Sequence, residues 1–205
     1  MKKIAYMAAC LAAPVAFASP AQALTMIDFD DGTDGASVDA FYSGLGITFS
    51  NTQFTDNFGL AGSSGPLGIR ATGTFQFGVA DAIVGTFSGL ADSVSFRGID
   101  VGSAGLQIDA FDASNVLLGS TSVSGSDFGI GDFFDLTFAS PGIKSFAIYQ
   151  PNFDGSDGIL IEDLAFNLAA AVPEPATWAF MIFGFGAIGG AMRRQRKANV
   201  KVSYA

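Results

Sequence analysis

The sequence contains no histidine and a single cysteine, Cys10. Without histidine there is no Ser-His-Asp triad, no imidazole base and no imidazole metal ligand. Cys10 lies in a segment that we expect to be removed on export, so the mature chain has no thiol for a disulfide, a zinc site or nucleophilic catalysis. No phosphate-binding loop or dinucleotide fingerprint occurs either. These absences predict that the protein is not an enzyme.

Basic residues are scarce in the middle of the chain. Residues 24–172 contain three of them, Arg70, Arg97 and Lys144, against 18 acidic residues, a net charge of −15. Nucleic-acid binding needs a basic surface and is therefore not expected. An acidic surface of this kind fits solubility outside the cell and attracts divalent cations.

Lysine and glutamate are rare, whereas the chain has 26 glycines and 21 phenylalanines. This composition favours short strands joined by Gly-, Ser- and Asp-rich turns over long surface helices. Several runs alternate with period two, and no repeat of 20–50 residues is visible. We predict an all-β fold, an antiparallel two-sheet sandwich. The candidate strands are Thr25–Phe29, Gly46–Asn51, Thr74–Gly78, Ala82–Phe87, Ser93–Val101, Leu106–Asp112, Val116–Ser122, Phe133–Phe138, Ile143–Gln150 and Ile159–Leu168.

The N-terminus has the three parts of a secretory signal. Lys2 and Lys3 precede the apolar run Ile4–Phe17, and Ala21–Ala23 is a small-x-small cleavage site. The apolar run is too short to span a bilayer. We therefore predict a signal peptide over residues 1–23 and cleavage before Leu24.

The C-terminus combines a proline motif, an apolar run and a basic cluster. Pro173, Glu174 and Pro175 are followed by Trp178 and by Ala176–Met192, 17 uncharged residues at the lower limit for a transmembrane helix. Trp178 is expected at the membrane interface. The positive-inside rule places the following basic residues in the cytoplasm and the rest of the chain on the other side. These basic residues are Arg193, Arg194, Arg196 and Lys197.

This arrangement resembles the PEP-CTERM family of sorting signals. The resemblance implies processing by an exosortase, a membrane protease that would cut near the Pro-Glu-Pro motif. It also implies a Gram-negative cell that makes exopolysaccharide or biofilm. The expected precursor is exported, held transiently in the inner membrane with its domain facing the periplasm, and then moved to the cell surface or outside it. We predict a signal peptide (1–23), a β-sandwich domain (24–170) and a sorting signal (171–205).

The middle of the chain resembles the jelly-roll domains common in PEP-CTERM proteins. Asp112–Asn115 separates two strands like a central hairpin turn, and Ile27–Asp31 resembles a first strand. Ile143–Tyr149 and Gly158–Phe166 resemble the last two strands. The resemblance implies a jelly-roll-like sandwich, an architecture that carbohydrate-binding modules share.

Calcium is the one cofactor that the sequence suggests. Asp28, Asp30 and Asp31 lie at the start of the domain, and Glu162 and Asp163 lie near its end. Neighbouring first and last strands would bring these carboxylates together. Calcium prefers six to eight oxygen ligands, so these five residues are the candidate metal site. Asp154 and Asp157 offer a second cluster of oxygen donors, which lacks the spacing and the final glutamate of an EF-hand. The alternative is that these acidic side chains bind turn amides and face solvent.

We predict a structural or adhesive role at the cell surface or in the matrix, linked to exopolysaccharide or biofilm. The first alternative is a carbohydrate-binding module, which exposed Tyr42 or Tyr149 beside a groove would favour. The second is a secreted hydrolase, which needs two carboxylates facing each other across a cleft. Most phenylalanines should be buried. Those in Gly/Asp-rich segments are the candidates for exposure: Phe54, Phe58, Phe128, Phe133 and Phe134.

Overall fold

The computed structural model describes residues 24–155, 157–169 and 175–197, with the helix side chains described from 178 to 194. The chain divides into two compact units, one that ends at Leu168 and one that begins at Ala169. The described part of the first unit consists of strands, loops and two short 3-10 helices, Ser43–Leu45 and Val79–Asp81, and that of the second contains an α-helix. The predicted signal peptide, residues 1–23, lies outside the described residues.

The first unit is built from antiparallel strands. They are β1 (Leu24–Ile27), β2 (Ile47–Ser50), β3 (Thr52–Asp56), β4 (Leu67–Ala71), β5 (Ile83–Ile99), β6 (Leu106–Phe111), β7 (Leu117–Val123), β8 (Phe133–Tyr149) and β9 (Leu160–Leu168). Hydrogen-bonded neighbours follow the order β3-β4-β9-β5-β8-β6-β7, with β1 also on β9 and β2 also on β5.

Two long strands, β5 and β8, run through both layers of the fold. The first half of β5 pairs with β2 and with the second half of β8, whereas its second half pairs with β9 and with the first half of β8. The register shifts between Thr86 and Ala91 and again between Ala91 and Ser93. Such irregularities bend a strand and let it pass from one layer to the other. The predicted all-β, two-layer antiparallel sandwich is confirmed.

Phenylalanine fills the space between the layers. The ring of Phe87 on β5 lies 4.9 Å from that of Phe166 on β9 and 5.6 Å from that of Phe146 on β8, centroid to centroid. All three side chains are buried. Tilted aromatic pairs at this spacing are favourable in addition to the area that they bury. The predicted burial of phenylalanine is correct for this central cluster.

The strand predictions were wrong in the number of segments. Ala82–Phe87 and Ser93–Val101 were predicted as separate strands but belong to the single strand β5, and Phe133–Phe138 and Ile143–Gln150 likewise belong to β8. The Gly- and Ser-containing stretches between them resemble turns in sequence. In the structure they are bends within a continuous strand, because hydrogen bonds to neighbouring strands resume on either side.

Two further predictions were wrong in position. β3 and β4 were not predicted, and Thr74–Gly78 was predicted as a strand but is not one. Phe75 and Phe77 accept single backbone hydrogen bonds, from Ile159 at 2.9 Å and from Gln150 at 2.9 Å. These isolated bonds hold the segment beside β8 and β9 without a ladder.

The predicted hairpin between residues 106 and 122 is present as β6 and β7. Its turn is closed by the carboxylate of Asp112, which accepts hydrogen bonds from the amides of Ser114 at 2.8 Å and Val116 at 2.9 Å. Asn115 has a φ of 61°, a left-handed conformation that asparagine tolerates well. Local turn chemistry therefore determines this hairpin.

The first and last strands are neighbours, as expected. β1 pairs with β9, and Ile27 lies opposite Leu164. This pairing places the acidic segment after β1 on the same side of β9 as β4, which pairs with β9 through Ile69 and Ile161.

Candidate functional site

The three aspartates after β1 accept hydrogen bonds from the protein itself. The carboxylate of Asp30 accepts the amide of Leu67 at 3.0 Å, and that of Asp28 accepts the amide of Asp30 at 3.3 Å. Asp31 accepts the hydroxyl of Tyr42, and burial together with this bond raises the pKa of Tyr42. Of these contacts, the one between Asp30 and Leu67 lies directly after the loop that runs from Asn57 to Pro66.

Glu162 is a fully buried carboxylate in the middle of β9. It accepts hydrogen bonds from the side-chain amide of Asn57 at 3.0 Å and from the amide and hydroxyl of Ser64 at 2.8 and 3.2 Å. Burial raises its pKa, and the hydrogen bonds from Ser64 and Asn57 partly oppose that rise. The same loop, residues 57–66, is thus fastened to β9 at both of its ends.

Asp163, the next residue, is partly exposed. It accepts a hydrogen bond from Ser64 at 2.7 Å and forms an ion pair with Arg97 at 3.3 Å. Arg97 also holds Asp135 through two nitrogens and donates to the carbonyl of Gly62. Through Gly62 and Ser64, this network adds further hydrogen bonds that hold the loop in place.

Both predicted acidic groups therefore contact one loop, but the five carboxylates do not form one metal-binding cluster. In the described part of the chain, no group of three or more His, Cys, Asp or Glu residues is placed to hold a metal ion. Protein donors already bind two of these carboxylates: the amide of Leu67 donates to Asp30, and amide and hydroxyl groups of Asn57 and Ser64 donate to Glu162. Calcium binding by Asp28, Asp30, Asp31, Glu162 and Asp163 stays a prediction.

An open cleft of about 320 Å³ lies beside this loop. Phe58 and Phe75 form one wall, with ring centroids 6.1 Å apart and planes inclined by 57°. The side chain of Phe58 is 68% exposed. The residues that line the cleft are Phe58, Leu60, Phe75, Asp100, Gly158, Ile159 and Leu160. We call this feature the Phe58 cleft.

The Phe58 cleft combines apolar surface with a few polar groups, as small-molecule sites commonly do. The guanidinium of Arg70 lies 4.2 Å from the centroid of the Phe75 ring, a cation–π contact. Asp100 is the one carboxylate among the described lining residues, and burial raises its pKa. The cleft thus offers aromatic faces and a hydrogen-bond acceptor. It lacks the facing pair of carboxylates that the hydrolase alternative needs.

The two tyrosines considered as sugar-stacking residues are buried. Tyr42 is 4% exposed and Tyr149 is 9% exposed. The hydroxyl of Tyr149 donates to Asp109 at 2.8 Å and accepts from Gln107 at 2.7 Å. Burial and the bond to Asp109 raise the pKa of Tyr149 to about 12. Tyr149 lines an open pocket of about 470 Å³ together with Asp81 and Phe153, but little of its surface is exposed there. The two tyrosines therefore give little support to the carbohydrate-binding alternative.

The phenylalanines predicted to be exposed divide into two groups. Phe54 is fully buried, whereas Phe58, Phe128 and Phe133 are exposed and Phe134 is partly buried. Phe75 was not among the predictions, although it completes the aromatic wall of the cleft. The Gly- and Asp-rich surroundings of Phe58 indicated its exposure. No sequence signal indicated its contact with Phe75, which is set by the path of the loop.

The second unit contains a single described helix, α1 (Pro175–Lys197). Trp178 lies in its first turns, and many of its apolar side chains are exposed, among them Phe180, Ile182 and Phe183. Pro175 begins the helix, as proline often does, because its missing amide hydrogen is not needed there. Arg193, Arg194, Arg196 and Lys197 form its end. Pro173 and Glu174 lie outside the described residues.

The predicted apolar span, Ala176–Met192, is helical throughout. Within residues 24–155, 157–169 and 175–197, no helix is both long and apolar enough to meet the criterion for crossing a membrane.

Comparison with known proteins identifies the C-terminal segment. Residues 171–197 match the family model of the PEP-CTERM protein-sorting motif. The resemblance inferred from Pro173, Glu174, Pro175 and Trp178 is therefore confirmed. No curated protein matches the chain.

Solved structures similar to the chain are sandwich domains. One is the C-terminal CBM6 of LamC, a marine laminarinase from Zobellia galactanivorans (TM-score 0.39, 12% identity, covering 71% of this chain and 99% of that one). Another is the CBM22-1 xylan-binding domain of Xyn10C from Paenibacillus barcinonensis (TM-score 0.42, 14% identity, covering 76% of this chain and 100% of that one). A third is the K1 cleaved adhesin domain of Lys-gingipain from Porphyromonas gingivalis (TM-score 0.40, 17% identity, covering 70% of this chain and 97% of that one).

Proposed function

We propose that this chain is an exported cell-surface or extracellular-matrix protein that an exosortase-type protease processes. Its role is structural or adhesive and is linked to exopolysaccharide or biofilm. The observation that carries the proposal is the match of residues 171–197 to the PEP-CTERM sorting motif. The acidic first unit, with a net charge of −15 over residues 24–172, suits a soluble domain outside the cell.

The sorting step can be described from the motif itself. Each proline fixes its own φ and disfavours helix in the residue before it, so Pro173 and Glu174 are expected to be extended. A protease binds an extended strand, and here that strand ends where the α1 helix begins, at Pro175. The basic end of α1 would hold the precursor with its domain facing the periplasm until cleavage.

The test is the intact mass and location of the protein in its native cell, with and without the exosortase gene. We expect loss of the C-terminal segment only in the strain that has the exosortase. Replacement of the motif by Pro173→Ala and Glu174→Ala should reproduce the uncleaved mass in that strain. An uncleaved protein of the same mass in both strains would contradict the proposal.

A second candidate function is polysaccharide binding at the Phe58 cleft. The observation that favours it is the exposed ring of Phe58, paired with Phe75 and close to Asp100. Aromatic faces pack on the apolar faces of sugar rings, and a carboxylate accepts hydrogen bonds from sugar hydroxyls.

Binding of the cell's own exopolysaccharide by Phe58→Ala tests this function, with Phe128→Ala as the matched control. Both rings are exposed, but Phe128 does not line the cleft. We expect Phe58→Ala to bind about 10-fold more weakly, since loss of an aromatic contact costs on the order of 1 kcal/mol or more. Equal binding by the two variants would place any affinity elsewhere on the protein.

A further inference from the structure

Three loops meet at one end of the sandwich. The amide of Ser103 donates to the carbonyl of Asp127 at 2.9 Å, and the amide of Asn152 donates to the carbonyl of Ala104 at 3.0 Å. The loop after β5 therefore lies between the loop that joins β7 to β8 and the segment that leads into β9. We call this feature the three-loop end.

Two buried carboxylate oxygens lie in the three-loop end without a hydrogen-bond partner among the described residues. They are Oδ2 of Asp157 and Oδ1 of Asp100. Asp157 is 4% exposed. A Cβ at Gly102 would overlap Oδ2 of Asp157, so this oxygen is turned toward the loop that carries Asp100. The position of an orphaned, nearly inaccessible oxygen needs a physical explanation, since polar groups in protein interiors are normally paired.

Electrostatics at this end are unfavourable without a cation. Burial raises the pKa of Asp157, and the charge of Asp100 adds to this rise, while the backbone amides of Gly102 and Gly158 partly oppose it. Burying a charge is costly unless it is paired. Two carboxylates carried by separate loops therefore repel each other where Asp157 is buried and Asp100 is partly buried.

The basic side chains of residues 24–172 are engaged elsewhere. Arg97 pairs with Asp135 and Asp163, and Arg70 stacks on Phe75. Lys144 donates to the carbonyls of two residues at the bend of β5, Phe87 and Ser88. Within residues 24–155 and 157–169, no ion pair joins a basic side chain to Asp100 or Asp157, so a bound cation would supply the compensating charge.

We propose that Asp100 and Asp157 bind a calcium ion at the three-loop end. The site is distinct from the carboxylates after β1 and in β9 that the sequence suggested. Calcium fits because it takes oxygen ligands in irregular geometry, and the mature chain has no histidine or cysteine to favour zinc. Because no third acidic residue completes a described cluster, backbone carbonyls and water supply the remaining ligands. Asp100 also lines the Phe58 cleft, whereas Asp157 is not among the residues that line it, so Asp157 is the residue that distinguishes calcium binding from polysaccharide binding.

Calcium titration of the full-length chain by calorimetry tests this site, after removal of divalent ions with a chelator. A site with two carboxylates is expected in the affinity range of extracellular calcium modules, a Kd of about 10⁻⁴–10⁻³ M. Binding stabilises the folded state, so saturating calcium should raise Tm by about 5–10 °C. Magnesium at the same concentration should bind more weakly, because it demands stricter geometry.

Asp157→Asn and Asp100→Asn locate the site, and Asp30→Asn and Glu162→Gln are the matched controls. We expect each of the first two to weaken calcium binding by about 10-fold or more, since affinity depends on ligand charge. Without calcium, Asp157→Asn should melt at a higher temperature than the parent, because a buried repulsive charge is removed. The two controls should leave the calcium-induced Tm shift unchanged.

Two results would overturn the proposal. One is the absence of calcium binding by the unmodified chain. The other is a calcium-induced Tm shift that Asp157→Asn and Asp100→Asn retain but Asp30→Asn or Glu162→Gln abolishes, which would place the ion between β1 and β9. Two variants separate this site from the Phe58 cleft: Phe58→Ala should retain the full calcium response, and Asp157→Asn should retain polysaccharide binding. Asp100→Asn is not used for this separation, because Asp100 lines the cleft.

Discussion

The side-chain amide of Asn57 donates a hydrogen bond to the carboxylate of Glu162 at 3.0 Å, and both residues are almost inaccessible to solvent. This contact joins a loop to the central strand of its layer across 105 positions of sequence. Asn57 also donates to the carbonyl of Gly65, so one amide closes the loop on itself and ties it to β9. Because Phe58 follows directly in the chain, the same contact positions the aromatic wall of the cleft.

Replacement of this amide should destabilise the protein. Asn57→Ala leaves an oxygen of Glu162 without its donor, and an unsatisfied buried charged group costs about 1–3 kcal/mol. Urea denaturation should therefore show a lower midpoint than for the parent. Asn152→Ala removes an exposed side chain and should change stability by less than about 0.5 kcal/mol. Equal effects of the two substitutions would show that the buried contact contributes little.

Folding stability should increase on mild acidification. Burial raises the pKa of Glu162 above its ordinary 4.5, and burial likewise raises the pKa of Asp100 and Asp157. A raised pKa means that the folded state binds the proton more tightly. The resulting stabilisation is complete below the ordinary pKa and is lost as the pH rises through the folded value.

Urea midpoints measured between about pH 5 and pH 7 in the presence of a chelator should thus decline with increasing pH. Glu162→Gln removes one of the three groups and should reduce this slope. Asp109 has the opposite effect on folding stability: because its pKa is lowered, its contribution is lost when the pH falls below its ordinary 3.8. Burial tends to raise its pKa, but hydrogen bonds from Ser120, Gln107 and Tyr149 leave it below its ordinary 3.8. A midpoint that rises steadily with pH across this range would refute the prediction.

Stability should also fall at alkaline pH because of Tyr149. Its pKa is raised to about 12 by burial and by the bond to Asp109, so the folded state keeps a proton that the unfolded chain loses near pH 10. The contribution is complete below about pH 10 and is lost as the pH approaches 12. Absorbance of tyrosinate should reveal a late titration in the folded protein. Because the pKa of Tyr42 is raised as well, Tyr149→Phe should reduce the amplitude of this late titration by one tyrosine. An unchanged amplitude would contradict the assignment to Tyr149.

A pair of glycines in β5 tests the packing of the two layers. A Cβ at Gly85 would overlap the ring of Phe146, whereas a Cβ at Gly89 would meet no atom within 4 Å. Gly85→Ala should therefore destabilise the fold by about 1–3 kcal/mol through overpacking. Gly89→Ala, at the exposed bend of the same strand, should be neutral to within about 0.5 kcal/mol. Comparable losses in the two variants would point to the backbone at the bend rather than to the core.

The sequence by itself determined the features that depend on local order. The Pro-Glu-Pro motif, Trp178 and the basic end of α1 are read from consecutive residues, and the family match confirms them. The β6–β7 hairpin was predictable for the same reason, because Asp112 and Asn115 close the turn within a few residues. Composition was sufficient for the fold class, since few residues favour long helices in the first unit.

Only the tertiary structure decided which side chains meet. Glu162 looked like a metal ligand in sequence, yet the loop from Asn57 to Ser64 occupies it. Asp157 was noticed in sequence only as part of a cluster with Asp154, and Asp100 gave no signal, because the proximity of Asp100 and Asp157 arises from the meeting of separate loops. Hydrogen bonds between β5 and β8 likewise carried both strands through stretches that resemble turns. In each case contacts between residues far apart in sequence determine which groups meet. The free energy of such contacts depends on the folded arrangement and cannot be read from residues adjacent in sequence.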